Sequence, residues 1–309
     1  MSNSGVQTSA PPAWLSLLRL MRFPTVFTAF GDILCGSALA VGQAPFVPEI
    51  IPLLLASACL YLSGMVFNDV FDYEADVQTR ANRPLPNGEL SLSFAIYFGS
   101  VLMITGLLFA GLTWPARLGL GLILASLILF YDVVLKRTPL APLVMGCCRG
   151  MNLILGASLV ANFTILQFTP VGWTALGMSL YITGVTVFAR QEAVQSPRLM
   201  LSVGLGLIHA GFLILATTLF WLGSYESCLL AILFLAFIGF RINRKALPAI
   251  QSGSPTMVQA AIRTMLLSLL MIHSTMIYGV LGTNGIPFAL LTLSLFIPAR
   301  LMARVIAIT

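Results

Sequence analysis

Charge is the property that this sequence has least of. Asp, Glu, Lys and Arg make up 8% of its 309 residues, whereas an ordinary soluble domain carries roughly 25%. A soluble globule needs a more charged surface, so that class is excluded. The five cysteines lie within apolar runs, which excludes a disulfide scaffold. With 58% hydrophobic residues and a mean hydropathy of +0.97, the chain is predicted to be an integral membrane protein.

Acidic residues are scarcer than basic ones, yet the basic excess does not indicate a nucleic-acid partner. The chain has 16 Lys and Arg against 10 Asp and Glu, which gives a net charge of +6. The basic residues stand as singles and short groups between apolar segments, and no run of five or more occurs. Such dispersion excludes nucleic-acid binding and is typical of the topology signals in a membrane protein.

Apolar segments long enough to cross a bilayer recur along the chain, since a spanning helix needs about 20 residues. They lie near 23–42, 48–68, 92–112, 115–132, 140–161, 171–189, 199–222, 225–240, 257–281 and 286–299. Pro298 and Arg300 shorten the last segment. The sequence therefore predicts an all-α polytopic bundle of nine or ten transmembrane helices. Residues 1–13 are predicted to be a disordered cytoplasmic tail, and 14–309 a single transmembrane domain.

Basic residues divide unevenly between the two sides of the predicted bundle. The side of the N-terminus carries Arg19, Arg22, Arg80, Arg83, Lys136, Arg137, Arg190, Arg198, Arg241, Arg244 and Lys245, joined by Arg300 and Arg304 if there are ten spans. The opposite loops carry Arg117, while Arg149 and Arg263 fall within spans. The positive-inside rule then predicts that the N-terminus and the long loops near 69–91 and 241–256 are cytoplasmic.

Half of the acidic residues fall between positions 69 and 89, at the end of the second span. If that helix continues, each residue advances about 100° around the axis, so Asn68, Asp69, Asp72 and Asp76 share one face. Clustered carboxylate and amide oxygens suit Mg²⁺, which fills its remaining positions with water and substrate phosphates. The alternative is an acidic loop that is merely solvated.

Two cations and a Pro/Gly-rich turn follow the acidic face. Arg80 comes four residues after Asp76, so an ordinary helical ion pair is one interpretation. The other is that Arg80 and Arg83 bind a phosphate whose remaining oxygens contact the metal.

These residues carry a resemblance to a known family. The pattern Asn-Asp-x-x-Asp-x-x-x-Asp from Asn68, with Arg-x-x-Arg-Pro-Leu from Arg80, resembles the first aspartate-rich motif of the UbiA-type intramembrane prenyltransferases. Tyr131-Asp-Val-Val-Leu-Lys-Arg137 resembles that family's Tyr-x-x-x-Leu-Lys-Arg signature. The resemblance implies a UbiA-like fold, Mg²⁺ as cofactor, a prenyl diphosphate donor and a lipophilic acceptor.

The same resemblance implies roles for individual residues. Asn68, Asp72 and Asp76 would hold Mg²⁺ on the diphosphate. Arg80, Lys136 and Arg137 would neutralise the diphosphate, and Tyr131 would line the cavity.

The sequence departs from the family where a second aspartate motif is expected, at the end of the sixth span. Residues 186–194 read Thr-Val-Phe-Ala-Arg-Gln-Glu-Ala-Val, in which Glu192 is the sole acid. Our hypothesis is a one-metal variant in which Arg190 replaces the second cation, with Glu192 orienting it or acting as a ligand. The alternative is that Arg190 is a topology charge.

Two ionisable residues lie deep within predicted spans, Asp32 in the first and Arg149 in the fifth. Buried charges in membranes pair with one another or face a cavity, so this pair is predicted either to be structural or, with Asn152, to contact a substrate. Together with the Ala-Arg-Gln-Glu-Ala segment, these residues resemble the EboC branch of UbiA-like proteins, which implies a bacterial inner-membrane location. His209 and His273 are interpreted as core histidines.

Two functions follow from the sequence. The first is an intramembrane prenyltransferase that moves an isoprenoid chain from its diphosphate to an acceptor, aromatic or otherwise. The second is a membrane protein of the same fold that binds or translocates a lipid or isoprenoid without catalysis, which the missing aspartate motif favours. The sequence predicts neither the acceptor nor the oligomeric state.

Overall fold

The fold is known from a computed structural model that describes residues 12–42, 48–112, 114–160, 169–304 and 306. Most of the predicted tail, residues 1–11, lies outside the described residues. The described chain is helical and contains no strand, which confirms the predicted all-α class.

Thirteen α-helices follow one another in the described chain. They are α1 (Ala13–Leu20), α2 (Val26–Val41), α3 (Ile50–Phe71), α4 (Tyr73–Thr79), α5 (Leu92–Gly111), α6 (Pro115–Phe130), α7 (Ala141–Ala157), α8 (Pro170–Ala189), α9 (Arg198–Leu222), α10 (Tyr225–Ser252), α11 (Pro255–Leu281), α12 (Ile286–Ser294) and α13 (Phe296–Met302). Short 3₁₀ turns at Phe23–Thr25 and Gly282–Gly285 and a π-helical turn at Tyr131–Leu135 complete the set.

Eight helical stretches of the described residues are long and apolar enough to cross a membrane. α7, with 17 residues, is a shorter apolar helix. The chain is therefore a multi-pass integral membrane protein. Local sequence sets the helix boundaries: Ser91 caps α5 by accepting a hydrogen bond from the Phe94 N–H, and Pro115 and Pro170 occupy first turns, where a missing N–H costs nothing.

Three predicted segments differ from the observed helices. The predicted tenth span is divided into α12 and α13, which meet at Leu295, and Gly282, with a φ of +61°, starts the 3₁₀ turn that separates α11 from α12. The predicted loop 241–256 is largely helical, since α10 runs on to Ser252. The predicted loop 69–91 includes the short helix α4.

The helices pack as a bundle in which sequence neighbours are mostly spatial neighbours. Close pairs include α2 with α7, α3 with α5, α7 with α8, α8 with α9, and α10 with α11. α11 also packs against α2, which closes one side of the bundle.

The crossing of α2 and α7 is so close that it requires glycine. A Cβ on Gly36 would lie 2.0 Å from the Leu153 carbonyl oxygen, and one on Gly156 would lie 2.5 Å from the Ile33 carbonyl oxygen. Small residues permit such close approach between membrane helices. This crossing places Asp32 on α2 beside Arg149 on α7.

We expect Gly36→Ala to destabilise the protein by about 1–3 kcal/mol, because the methyl group overlaps the backbone of α7. Gly206→Ala is the matched control, since a Cβ there meets no atom within 4 Å; it should be neutral or stabilise by up to about 1 kcal/mol. Thermal unfolding of the detergent-purified protein measures both. Equal melting temperatures for the two variants would contradict the close crossing.

Candidate functional site

A cavity of about 200 Å³ lies within the bundle, lined from α2, α3, α6, the π-helical turn, α7, α8 and α11. Its walls are mostly apolar, with Leu124, Ile128, Met145, Val185 and Leu266 among them. Polar residues lie at its two ends. The end formed by Arg22, Asn68, Tyr131 and Asp132 is called the motif end, and the end formed by Asp32, Ser57, Arg149 and Asn152 the inner end. Ser57 and Asn68, eleven residues apart on α3, are separated by about 16 Å along the helix.

The motif end forms where α3 meets the π-helical turn. Lys136 Nζ lies 2.6 Å from Asp72 Oδ2 and donates to the Asn68 carbonyl oxygen at 3.2 Å. The Asn68 side-chain amide donates to Asp132 Oδ1 at 3.3 Å. The sequence prediction that residues 68–76 and 131–137 gather on one side of the bundle is confirmed by these contacts.

The π-helical turn explains how the second motif reaches α3. The Lys136 N–H donates to the Tyr131 carbonyl oxygen at 2.8 Å, which adds one residue to the last turn after α6. Tyr131 and Asp132 thereby line the cavity while Lys136 reaches Asp72. Such π-turns occur frequently at functional sites. Sequence reasoning missed Asp132, although it lies within the recognised signature, because the turn cannot be read from helical spacing.

The predicted four-residue metal face is divided in the structure. Arg83 Nη1 contacts both Asp69 Oδ1, at 3.1 Å, and Asp76 Oδ2, and Arg22 Nη2 also lies 3.1 Å from Asp69 Oδ1. Asp72 instead pairs with Lys136. Asp72 lies between α3 and α4 with right-handed helical dihedral angles, so the division follows from the cations that contact each carboxylate. Asp69 and Asp76 thus contact arginine, as Asp72 contacts Lys136, and their role as metal ligands stays a prediction.

The residues at the motif end are suited to hold a single Mg²⁺ ion. No group of three or more His, Cys, Asp or Glu side chains is placed to hold a metal within the part of the chain that the structure describes. Asn68, Asp72 and Asp132 nevertheless supply an amide oxygen and two carboxylates. Mg²⁺ commonly takes one or two carboxylates and completes its shell with water and phosphate oxygens. This donor set therefore fits the ion, and Asp132 joins the predicted ligands Asn68 and Asp72.

The remaining predicted cations and Glu192 lie around the motif end. Arg80 is half-buried, and Arg137 is exposed. Arg190 is also exposed, and its Nη2 lies 3.4 Å from the Thr138 carbonyl oxygen. Arg190 is not among the residues that line the cavity, and its replacement of a second cation stays a prediction. Burial raises the pKa of Glu192, although Arg80, Arg22 and Arg83 lie near enough to oppose that shift.

The inner end is a buried ion pair with added hydrogen bonds. Asp32 Oδ2 accepts from Arg149 Nη1 at 2.7 Å and from Asn152 Nδ2 at 2.9 Å, so the predicted pairing of Asp32 with Arg149 is confirmed. His273 is fully buried, and its Nε2 lies 2.9 Å from Asp32 Oδ1. The sequence did not predict this contact, since His273 carries no acidic neighbour along its own helix. The Arg149 guanidinium also lies 5.6 Å from the centre of the Tyr61 ring.

Known proteins resemble this chain in sequence and in fold. The family model described as the UbiA prenyltransferase family matches residues 29–252, a range that contains both motifs. The chain belongs to the UbiA prenyltransferase family. A digeranylgeranylglyceryl phosphate synthase from Methanoculleus marisnigri is 32% identical over 124 residues, which cover 40% of this chain and 44% of that relative. The chain thus spans less than half the length of this relative in the match.

Solved UbiA-family structures share the fold. A structure of digeranylgeranylglyceryl phosphate synthase covers 87% of this chain and 99% of its own, with a TM-score of 0.62 and 18% identity. A UbiA homologue from Archaeoglobus fulgidus bound to GPP and Mg²⁺ covers 81% of this chain and 99% of its own, with a TM-score of 0.60 and 14% identity. At these identities the likeness establishes the UbiA fold.

We expect Arg83→Met to cost about 1.5–3 kcal/mol of stability, because it leaves Asp76 without its charged partner in a largely buried position. Arg137→Met is the matched control, since Arg137 is exposed on the same side, and it should change stability by less than about 0.5 kcal/mol. Thermal or denaturant unfolding in detergent compares them. If both variants unfold like the wild type, the Arg83 ion pairs do not stabilise this UbiA fold.

The pKa of Glu192 predicts a pH-dependent effect on stability. Because folding raises this pKa, ionised Glu192 opposes folding above the folded-state pKa, and the effect vanishes once pH falls below the ordinary value for glutamate. Glu192→Gln should therefore stabilise the protein near neutral pH and lose that advantage near about pH 4. The exposed Glu226, changed to Gln, is the control. A Glu192→Gln advantage that grows as pH falls would contradict the assigned direction.

Proposed function

We propose that this UbiA-family chain is a Mg²⁺-dependent intramembrane prenyltransferase that moves an isoprenoid chain from a prenyl diphosphate to a lipophilic acceptor. The observation that carries the proposal is the motif end, where Asn68 and Asp132 line an apolar-walled cavity and the Asp72–Lys136 pair contacts Asn68. Oxygen ligands and a cation beside an apolar chamber suit a substrate with a diphosphate head and a hydrocarbon tail.

Each residue at the motif end has a proposed role. Asn68 and Asp72, with Asp132, would hold Mg²⁺, which when bound neutralises charge on the leaving diphosphate. Lys136 lies between the two motifs and would contact a diphosphate oxygen, helped by Arg80 and Arg137 from the surrounding loops. Arg83 and Asp76 would support the site indirectly, since they hold each other and Asp69.

The proposed reaction breaks the bond between the allylic carbon and the diphosphate oxygen, and the electron pair leaves with the diphosphate. The acceptor then attacks the allylic carbon and loses a proton. The apolar walls exclude water, which would otherwise capture the allylic cation. Tyr131 lines the cavity beside the motif end and would contact the reacting carbon.

Relatives support the donor and the metal. The matched relative is named a digeranylgeranylglyceryl phosphate synthase, and the Archaeoglobus fulgidus homologue is bound to GPP and Mg²⁺. We propose that this chain also uses a prenyl diphosphate donor and Mg²⁺, with an acceptor that the relatives do not specify. At the inner end, Asp32, Arg149 and Asn152 would contact the substrate as well as each other, because all three line the cavity.

We also propose a membrane orientation and a branch within the family. The uneven loop charges support a cytoplasmic N-terminus and a cytoplasmic motif end. Asp32, Arg149 and the Ala-Arg-Gln-Glu-Ala segment support the EboC branch and a bacterial inner-membrane location.

One observation favours a second function. The segment after α8 lacks the second aspartate motif and presents Arg190 to the surface, so a full two-metal site is not evident in the described residues. A protein of the same fold that binds or translocates a lipid or isoprenoid without catalysis would show this pattern. Such a protein binds a prenyl diphosphate but releases no pyrophosphate.

We expect Asp72→Asn to lower Mg²⁺-dependent release of pyrophosphate from geranyl diphosphate by about 100-fold or more, because the developing charge on the leaving group loses its preorganised partner. Purified protein in detergent with a panel of lipophilic acceptors provides the assay, and geranyl diphosphate affinity is measured in parallel by calorimetry.

Glu74→Gln is the matched control, because Glu74 lies two residues away on α4 and is exposed. It should retain the wild-type rate. If Asp72→Asn releases pyrophosphate at the rate of this control, the proposed site is refuted. If the wild-type protein binds geranyl diphosphate but releases no pyrophosphate, the non-catalytic function is favoured.

A further inference from the structure

A second, larger cavity of about 1120 Å³ opens on the outer face of the bundle, away from both motifs. Its walls come from α10, α11, α12, α13 and the residues that follow α13. Four arginines line it: Arg241, Arg263, Arg300 and Arg304. We call this feature the arginine cleft. Its volume exceeds the roughly 300–1,000 Å³ of ordinary small-molecule pockets.

The four arginines have no acidic partner. Asp and Glu are absent from the lining of the cleft, and none of the four guanidinium groups forms an ion pair with a carboxylate in the described residues. Arg300 instead lies 6.0 Å from the centre of the Phe296 ring. Ion pairs with aspartate are formed instead by Arg22, Arg83, Lys136 and Arg149, away from the cleft. Four like charges that line one cavity favour an anion between them.

The position of Arg263 strengthens this argument. It lies on α11 eight residues after Pro255, about 12 Å along a membrane-spanning helix, and its side chain is exposed on the outer face. Arg241 likewise lies within α10, eleven residues before Ser252, so both arginines lie on long apolar helices and not in loops, where topology requires basic residues. Ionisable side chains within spans normally have a partner, because hydrocarbon does not solvate them.

Charged and apolar residues are ordered along the cleft. α10 and α11 run antiparallel, joined by the short turn after Ser252. On α10, Phe237 precedes Arg241 by one turn, and on α11, Arg263 precedes Leu267 by one turn. Because the helices are antiparallel, both arginines lie toward one end of the cleft and both apolar residues toward the other. Met271, Leu290 and Leu293 extend the apolar end.

We propose that the arginine cleft binds an anionic phospholipid of the surrounding bilayer, with its phosphate at the arginines and an acyl chain along the apolar wall. The exposed apolar side chains around the cleft support a bilayer lipid as the occupant, since Phe237, Leu290 and Ile297 are all about half exposed or more on the outer face. Basic pockets between membrane helices bind anionic headgroups through the same chemistry. The site is independent of the proposed transferase function.

Native mass spectrometry of the full-length protein tests this proposal, with phosphatidylglycerol as the probe and phosphatidylcholine as the zwitterionic comparison. The double variant Arg263→Gln and Arg300→Gln should weaken phosphatidylglycerol binding about tenfold or more, because it removes two of the four charges. The matched control is Arg244→Gln with Lys245→Gln, which removes two exposed charges from α10 outside the cleft. The control should bind phosphatidylglycerol like the wild type.

Further measurements identify the bound molecule and test whether the variants fold. Inorganic phosphate should not displace the lipid, and geranylgeranyl diphosphate should displace it no better than phosphatidylglycerol itself. Thermal unfolding checks both double variants, and the single variant Arg304→Gln, which lies beyond the last helix, gives a second measure of affinity.

Three results would overturn the proposal. The first is equal lipid binding by the two double variants, or by Arg304→Gln and the wild type. The second is displacement by inorganic phosphate, which would indicate a free anion. The third is much stronger displacement by geranylgeranyl diphosphate, which would assign the cleft to an isoprenoid diphosphate.

Discussion

Hydrocarbon does not solvate charge, and the polar architecture of this protein follows from that constraint. Asp32 and Arg149 lie deep in the bundle and hold each other at 2.7 Å, while Asn152 adds a further bond to the same carboxylate oxygen. Such a pair specifies how α2 and α7 must meet, because removing one partner leaves the other charge buried and alone. The glycines at the crossing permit the approach that the pair requires. Paired charges thus connect helix packing to the shape of the cavity.

The same constraint separates two kinds of ion pair at the motif end. Asp69 and Asp76 are engaged by Arg83, and Arg22 adds a second contact to Asp69, so these charges join the N-terminal segment, α3 and the turn after α4. Asp72 and Lys136 form a more accessible pair that joins two motifs distant in sequence. The first group stabilises the scaffold. The second lies where an incoming ligand has the opportunity to compete for its members.

Sequence predicted the class, the gathering of the two motifs and the Asp32–Arg149 pair, because all three follow from patterns with one physical solution. Two isolated ionisable residues within apolar spans, for example, have few partners other than each other. It could not predict that Asp132 would lie beside Asn68, because that contact depends on one extra residue in a helical turn. Nor could it predict which cation each aspartate contacts, because Arg22 and Arg83 reach Asp69 from the segments before α2 and after α4.

The polar inner end has a geometric consequence for any hydrocarbon chain that enters from the motif end. About 16 Å along α3 from Asn68, the apolar walls give way to the polar residues of the inner end. A terminal methyl group in contact with Arg149 or Ser57 would exclude their hydrogen-bonding partners without replacing the hydrogen bonds. A hydrocarbon chain is therefore accommodated more favourably between the apolar walls than against the inner end.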